Sequence, residues 1–253
     1  MGRKVALTVV ASTGAGLDGL TASQRSKIMA TNTLTRARLR TPSAAGIAGL
    51  LFSLLLIAAF WLIRISVPAD PQEPGEWLHS NANTVTLAMN LLPFAGIAFL
   101  WFIGVLRDRL GLLEDRFFAT VFFGSGLLFL SMLFLASAFV GGVLIAFETH
   151  PEELIGSATF HFARAAVYAA VNIYMIKMAS VFMITTSTIA LYTRITPRWL
   201  AILGFALAVF LLFGSYYISW SFVIFPLWVL VISIYILVDN FCREPESAPR
   251  SGG

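Results

Sequence analysis

One apolar stretch of the chain carries four polar residues at i, i+3, i+7 and i+11: His161, Arg164, Tyr168 and Asn172. This spacing places the four side chains on one face of a helix. A guanidinium there would attract an acidic group, which the neighbouring hydroxyl and amide would orient by hydrogen bonds. Because Arg164 lies where that helix is expected to begin, a position that disfavours a cation, we expect it to meet an anion. The anion is either an acidic ligand or a carboxylate of the preceding segment, Glu152 or Glu153.

A second polar stripe follows an earlier apolar stretch at i, i+4, i+7 and i+11: His79, Asn83, Thr86 and Asn90. Lys177 lies near the middle of the later stretch, where an ammonium in lipid costs about 2.5–3.5 kcal/mol unless a partner offsets it. Polar residues inside a membrane span usually face the interior of the bundle. We therefore expect a ligand site in an outward-facing polar cavity between these two apolar stretches, which are the second and fourth predicted spans. Its residues are Lys177, Arg164, Asn90, Asn172, Tyr168 and His161. In the alternative interpretation, Lys177 extends to the membrane interface and the amides and hydroxyls only bond neighbouring helices.

Metal or nucleophilic chemistry has weaker support. The three histidines, His79, His150 and His161, fall near acidic residues, and imidazole with carboxylate suits Zn, Cu or non-haem Fe. Their spacing matches no compact metal motif. There is no base in the sequence beside Ser131, Ser137 or the Thr185–Thr188 run. The single cysteine, Cys242, excludes an intramolecular disulfide. We predict no catalytic residue, cofactor or metal and a non-enzymatic protein, with a membrane-embedded metalloenzyme left open.

Apolar helices must position these residues. Hydrophobic residues make up 58% of the chain and charged residues 12%, about half the charged share of a soluble domain. Crossing about 30 Å of hydrocarbon takes roughly 20 residues at a rise of 1.5 Å each. The uncharged runs therefore predict an all-α transmembrane bundle of six spans, at about 45–66, 82–106, 117–143, 166–192, 199–215 and 220–239.

The distribution of charge predicts the orientation, because basic residues resist translocation across the membrane. In the six-span scheme, 14 of the 17 Lys and Arg residues lie in the terminal segments and two loops on one side. The acidic residues of the opposite loops are Asp70, Glu73, Glu76, Glu148, Glu152 and Glu153. We predict cytoplasmic termini in a plasma (inner) membrane. The net charge of +4 is then explained by the basic residues that membrane topology places on the cytoplasmic side. We therefore expect no nucleic-acid binding.

Three segments follow from this scheme. Residues 1–43 form a basic leader rich in Ser, Thr and Gly, predicted to be disordered. Met29 is an alternative start of translation. Residues 44–240 form the transmembrane domain, and residues 241–253 form a short cytoplasmic tail. Small residues three or four positions apart permit close contact between helices: Ala45 and Gly49, Ser137 and Gly141, Gly204 and Ala208.

The stretches LPFAGIAFLWFIGVLRDRLG (92–111) and EDRFFATVFFGSGLLFL (114–130) resemble an uncharacterised group of bacterial multi-pass integral membrane proteins. The resemblance implies a bacterial plasma membrane and transfers no activity. From the residues themselves we expect a protein that binds, transports or senses a small molecule or ion, for which a small anionic ligand is the best match. The alternative is an accessory or structural subunit that contacts a second copy or a membrane-complex partner through its small-residue faces.

Overall fold

The computed structural model describes residues 22–68, 70, 73–110, 116–193, 197–214 and 221–243. Within these ranges the chain folds into helices and contains no strand, which confirms the all-α class. The helices are α1 (Ala22–Ser66), α2 (Trp77–Leu110), α3 (Arg116–Thr149), α4 (Pro151–Leu154), α5 (Ala158–Ala169), α6 (Ile176–Thr193), α7 (Arg198–Gly214) and α8 (Ser221–Arg243). A π-helical segment, Ala170–Met175, joins α5 directly to α6.

The chain divides into two compact units, Met1–Thr41 and Pro42–Gly253. In the first unit the backbone is helical from Ala22, where the sequence predicts a disordered leader. The reason is local, because residues 22–41 contain neither Gly nor Pro and include several strong helix formers. The rest of the predicted leader, residues 1–21, and the tail from residue 244 lie outside the described residues.

The second unit holds five helices that are long and apolar enough to cross a membrane: Ala44–Ser66, Trp77–Arg107, Phe117–Thr149, Ala158–Tyr192 and Ser221–Asp239. They match five of the six predicted spans, so the protein is a multi-pass membrane protein in contact with lipid. The remaining predicted span, 199–215, corresponds to α7. This helix is apolar but has only 17 residues.

Two helices begin earlier than the predicted spans. Instead of starting near 166, the fourth long helix starts at Ala158. The Ser157 hydroxyl caps it by accepting the backbone N–H of Phe160 at 3.2 Å. Likewise, α2 starts at Trp77 rather than near 82. Hydropathy marks the part of a helix that crosses hydrocarbon, whereas capping groups decide where the helix begins.

An aromatic core joins five helices of the second unit. It consists of side chains with at most 2% of their surface exposed: Phe52, Phe99, Phe129, Phe182 and Phe225. The ring centroids of Phe52 and Phe99 lie 4.5 Å apart, and those of Phe129 and Phe225 lie 4.7 Å apart. Aromatic pairs of this kind stabilise by about 0.5–1.5 kcal/mol beyond the area they bury. Lipid is as apolar as these rings, so the hydrophobic effect does not drive the helices together. Close packing of the side chains stabilises such a bundle instead.

Small residues allow close approach at two of the three predicted positions. A Cβ added at Gly204 would lie 2.2 Å from Ser187 Oγ and 2.9 Å from Trp228 Nε1. One added at Gly49 would lie 2.1 Å from Ser233 Oγ. These two predicted contacts are confirmed. At the third, Gly141, no atom of the described residues lies within 4 Å of the corresponding position, so the chain itself makes no close contact there.

Candidate ligand-binding cavity

The Arg164 side chain fastens α5 to the connection between α1 and α2. Its guanidinium binds the Glu73 carboxylate at 3.3 Å. It also donates to the carbonyl oxygens of Glu73 at 3.5 Å, Pro68 at 2.9 Å and Asp70. The anion expected beside Arg164 is therefore supplied by Glu73. The two carboxylates proposed from the sequence, in the segment just before α5, belong to exposed residues.

The same connection is also fixed to the segment that precedes α5. The backbone N–H of Gly156 donates to the Pro74 carbonyl at 2.9 Å. Gly75 adopts a φ of +113°, and a Cβ there would lie 2.8 Å from the Phe160 ring. Glycine is needed at this position for both conformation and space. We call this end of the bundle the acidic end, because it carries Asp70, Glu73, Glu76, Glu148, Glu152 and Glu153.

A cavity of about 590 Å³ lies next to these contacts. It is lined by α1, α2, α3 and the α5–π segment, with Phe222 of α8. Most of its wall is apolar, including Phe60, Met89, Leu92, Leu133 and Val140. The sequence predicts a polar cavity between the second and fourth spans. Both of those helices do line this one, but the second span contributes Trp77, Val85, Met89 and Leu92 instead of its polar stripe, and the wall is mainly apolar.

Four of the six predicted site residues line this cavity: His161, Arg164, Tyr168 and Asn172. The π-helical segment begins two residues before Asn172 and changes the helix register, as the bond from the Ile176 N–H to the Val171 carbonyl shows. The Asn172 side-chain amide donates to the Tyr168 carbonyl at 3.2 Å. π-helical segments occur frequently at functional sites, and here one forms part of the cavity wall.

The other two predicted site residues lie outside the cavity. Asn90 is exposed on α2 and is not part of the wall. Lys177 is exposed on α6, and its ammonium donates to the Leu212 carbonyl at 3.3 Å. That carbonyl is one of the last four of α7, which have no partner within the helix and lie at the negative end of its dipole. The structure thus gives Lys177 a helix-capping contact.

Three polar residues of the wall were missed as site residues by the sequence analysis: Arg64, Trp77 and Ser137. The Trp77 side chain has 9% of its surface exposed, and its indole N–H has no hydrogen-bond partner among the described residues. The Ser137 hydroxyl donates to the Leu133 carbonyl of its own helix at 2.8 Å. Arg64 could have been noticed from the sequence. It is a basic residue at the predicted outer end of a span, whereas basic residues are usually found at the cytoplasmic end.

The histidines do not come together. The His79 ring packs against Phe147, with centroids 5.1 Å apart, and the His161 ring lies 5.8 Å from that of Phe160. Among the described residues, no three His, Cys, Asp or Glu side chains are grouped so that they could hold a metal ion.

The function of this chain has to be inferred from its fold and its cavity, because comparison with known proteins found no match. No protein-family model, curated protein or solved structure matches this chain. The resemblance to bacterial membrane proteins therefore stays a prediction.

Proposed function

We propose that this chain is a plasma-membrane protein that binds a small apolar or amphipathic molecule in the cavity at its acidic end. The cavity itself carries the proposal. Its volume of about 590 Å³ falls within the roughly 300–1,000 Å³ typical of small-molecule sites. Such sites combine an apolar wall with a few convergent polar groups. In this proposal His161, Arg164, Tyr168 and Asn172 orient the ligand, as the sequence predicts.

The proposal includes six membrane crossings, with α7 as the fifth. Its 17 residues span about 25 Å at 1.5 Å each, close to the lower limit of roughly 17 residues for a transmembrane helix. Six crossings place both termini on one side of the membrane, and the basic residues favour the cytoplasm for that side. The cavity at the acidic end then faces outward. Binding from that side is the step that transport and sensing share.

The proposed binding is tested by filling the cavity. Ala136 lies in the wall on α3 and is 5% exposed, whereas Ala138 is exposed on the same helix. Affinity would be measured on protein in non-ionic detergent, with an uncharged dye that fluoresces in apolar surroundings. We expect Ala136→Phe to weaken dye binding by at least about tenfold, the loss of roughly 1.4 kcal/mol.

The matched control for this test is Ala138→Phe, which should bind dye like the wild type. Ser137→Phe fills the same cavity and provides a second variant if Ala136→Phe unfolds, as a thermal melt would show. Equal dye affinity in the wild type and in a folded cavity-filling variant would contradict the proposal.

A second candidate function, an accessory subunit of a membrane complex, is favoured by small residues without neighbours. A Cβ at Gly104, Gly124, Gly141 or Gly142 would meet no atom of the described residues within 4 Å. Such positions permit a helix of another subunit to approach closely. This candidate predicts a stoichiometric partner in mild detergent that Gly142→Leu removes. A partner that is retained by this variant and by Gly124→Leu would count against it.

A further inference from the structure

We infer that the ligand of this cavity is an uncharged molecule whose polar group is a hydrogen-bond acceptor, such as a ketone or ester oxygen. The inference rests on the proposed function and specifies the chemistry of the molecule bound. It takes the place of the small anion that the sequence predicts. Two features of the wall carry it: arginines that have partners within the protein, and an indole N–H that has none among the described residues.

The arginines of the wall already have partners. The Arg164 guanidinium binds the Glu73 carboxylate and donates to three backbone carbonyl oxygens. Arg64 also has a partner within the protein. An anionic ligand would therefore compete with these groups, at an end of the bundle that carries six carboxylates. Taking a charge out of water is costly unless the site pairs it, so the wall disfavours an anion.

A cation is disfavoured as well. The described residues that line the cavity include neither Asp nor Glu, whereas Arg64 and Arg164 both line it. Glu73 lies beside Arg164, but its carboxylate is bound to that arginine. A cationic ligand would therefore lie next to guanidinium groups, without a carboxylate from these lining residues to pair with it. An uncharged molecule avoids both costs.

Trp77 indicates which polar group the molecule carries. Four buried side-chain polar atoms have no hydrogen-bond partner among the described residues: Trp77 Nε1, Trp228 Nε1, Ser187 Oγ and Ser233 Oγ. Of these four residues, Trp77 is the one that lines the cavity, and it has only 9% of its surface exposed. An indole N–H can only donate, and leaving it unpaired in a buried site is costly. A molecule in the cavity that brings an acceptor oxygen removes this cost.

The surroundings of Trp77 favour a group that accepts without donating. Six apolar residues belong to or pack against the same hydrophobic cluster as Trp77 and also line the cavity: Val67, Val85, Met89, Val140, Val143 and Phe160. A hydrogen bond is stronger in such surroundings than in water, and an unpaired polar group is more costly. A hydroxyl or amide would bring a donor of its own, for which these apolar side chains are poor partners. A ketone or ester oxygen needs only the indole N–H.

Four probes built on the same two phenyl rings separate charge from hydrogen bonding: benzophenone, diphenylmethane, diphenylacetate and benzhydrylammonium. Benzophenone is an uncharged acceptor, diphenylmethane lacks the oxygen, and the other two carry a negative and a positive charge at neutral pH. Displacement of the apolar dye would be measured on protein in non-ionic detergent, with the partitioning of each probe into the detergent determined separately. We expect benzophenone to displace the dye at a free concentration at least about tenfold lower than each of the other three. An ion that binds as tightly as benzophenone would overturn the uncharged ligand.

Two tryptophan variants assign the hydrogen bond. Trp77→Phe should weaken benzophenone binding by about tenfold and leave diphenylmethane binding unchanged, because phenylalanine lacks the N–H. Trp228→Phe is the matched control and should alter the binding of neither probe. It removes an indole N–H that is also buried and unpaired among the described residues, but that packs beside Gly204, where an added Cβ would lie 2.9 Å from it. Benzophenone binding that Trp77→Phe leaves unchanged would overturn the acceptor.

If Trp77→Phe does not fold, as a thermal melt would show, the two uncharged probes on the wild type still decide the question. Benzophenone should bind at least about tenfold more tightly than diphenylmethane. Equal binding of the two would overturn the acceptor.

The outcomes separate this inference from the proposed function. If diphenylmethane binds as tightly as benzophenone, and Ala136→Phe weakens both, the acceptor is wrong while the cavity remains a binding site. If Ala136→Phe weakens the binding of no probe and no dye, the proposed function itself fails. Benzophenone binding that is weakened by Ala136→Phe and Trp77→Phe but not by Trp228→Phe supports both.

Discussion

The Arg164 guanidinium and the Glu73 carboxylate meet at 3.3 Å although they are 91 positions apart in the chain. Glu73 makes a second contact, since its other carboxylate oxygen accepts the backbone N–H of Glu76 at 2.9 Å just before α2 begins. One side chain therefore holds both the start of α2 and the second turn of α5. Because both helices line the cavity, this ion pair connects two parts of its wall at the acidic end.

Breaking this ion pair should destabilise the protein. We expect Arg164→Gln and Glu73→Gln each to lower the free energy of unfolding by about 2 kcal/mol, the contribution of hydrogen bonds to a charged group. The double variant should cost less than the sum of the two single variants, because they remove the same contact. Chemical unfolding in detergent measures all three. Glu152→Gln changes an exposed carboxylate and should leave stability unchanged, and a loss there equal to that of Glu73→Gln would show that the pairing is wrong.

The contact between Lys177 and the Leu212 carbonyl predicts slow chemical modification. The other lysines are Lys4 and Lys27, both in the predicted leader. In protein reconstituted in lipid vesicles, a water-soluble amine reagent should modify these two first. Lys177 lies on a membrane-spanning helix, where lipid excludes the reagent, and its ammonium is held by the Leu212 carbonyl. Mass spectrometry of the digested protein measures each site. Modification of Lys177 as fast as that of Lys27 would favour the hydrated ligand site predicted from the sequence.

The close contact at Gly204 predicts a cost for any side chain at that position. Gly204→Ala forces Ser187 or Trp228 to move, and overpacking of this kind typically costs about 1–3 kcal/mol. Gly141→Ala is the matched control, because the described residues leave that position open. There we expect no loss, and a gain of up to about 1 kcal/mol from helix propensity. Thermal unfolding of the two variants should separate them, and equal midpoints would contradict the packing of α6, α7 and α8.

The positions of five spans could be predicted because crossing hydrocarbon requires a local run of uncharged residues. The spacing of His161, Arg164, Tyr168 and Asn172 is also local, and the structure places all four in one cavity wall. The rotation of each helix about its axis is not local. In a bilayer both faces of a helix are apolar, so hydropathy does not show which face packs inward. For this reason the sequence predicts Asn90 and Lys177 in the same site as the other four residues.

The partner of Arg164 could not be predicted for a similar reason. Glu152 and Glu153 are near it in the sequence, whereas Glu73 reaches it only because the α1–α2 connection packs onto α5. The cavity likewise depends on four helices and their separation. The start of α5 could have been predicted, because Ser157 precedes an apolar run and serine is a favoured N-cap residue.

The number of crossings has a direct readout at the C-terminus. Six crossings place both termini on the same side of the membrane, whereas five crossings, without α7, place them on opposite sides. We expect a fluorescent reporter that folds only in the cytoplasm to be bright when fused after Gly253 and also when fused before Met1. A dark C-terminal fusion beside a bright N-terminal one would show that α7 does not cross.

Two serines of α3 allow the most direct test of an outward-facing cavity. Ser137 lines the cavity, whereas Ser131 is exposed on the same helix. Each hydroxyl donates to the carbonyl four residues before it, at 2.8 Å for Ser137 and 2.9 Å for Ser131. Replacing either serine by cysteine therefore removes an equivalent hydrogen bond. With Cys242→Ser as background, intact cells would be treated with a membrane-impermeant thiol reagent.

We expect Ser137→Cys to react at least about tenfold faster than Ser131→Cys, because a lipid-facing thiol is shielded from water and ionises poorly in apolar surroundings. Pre-incubation with the apolar dye should slow only the reaction of Ser137→Cys. Equal rates at the two positions, or no reaction of Ser137→Cys in intact or opened cells, would contradict a ligand cavity that opens at the acidic end.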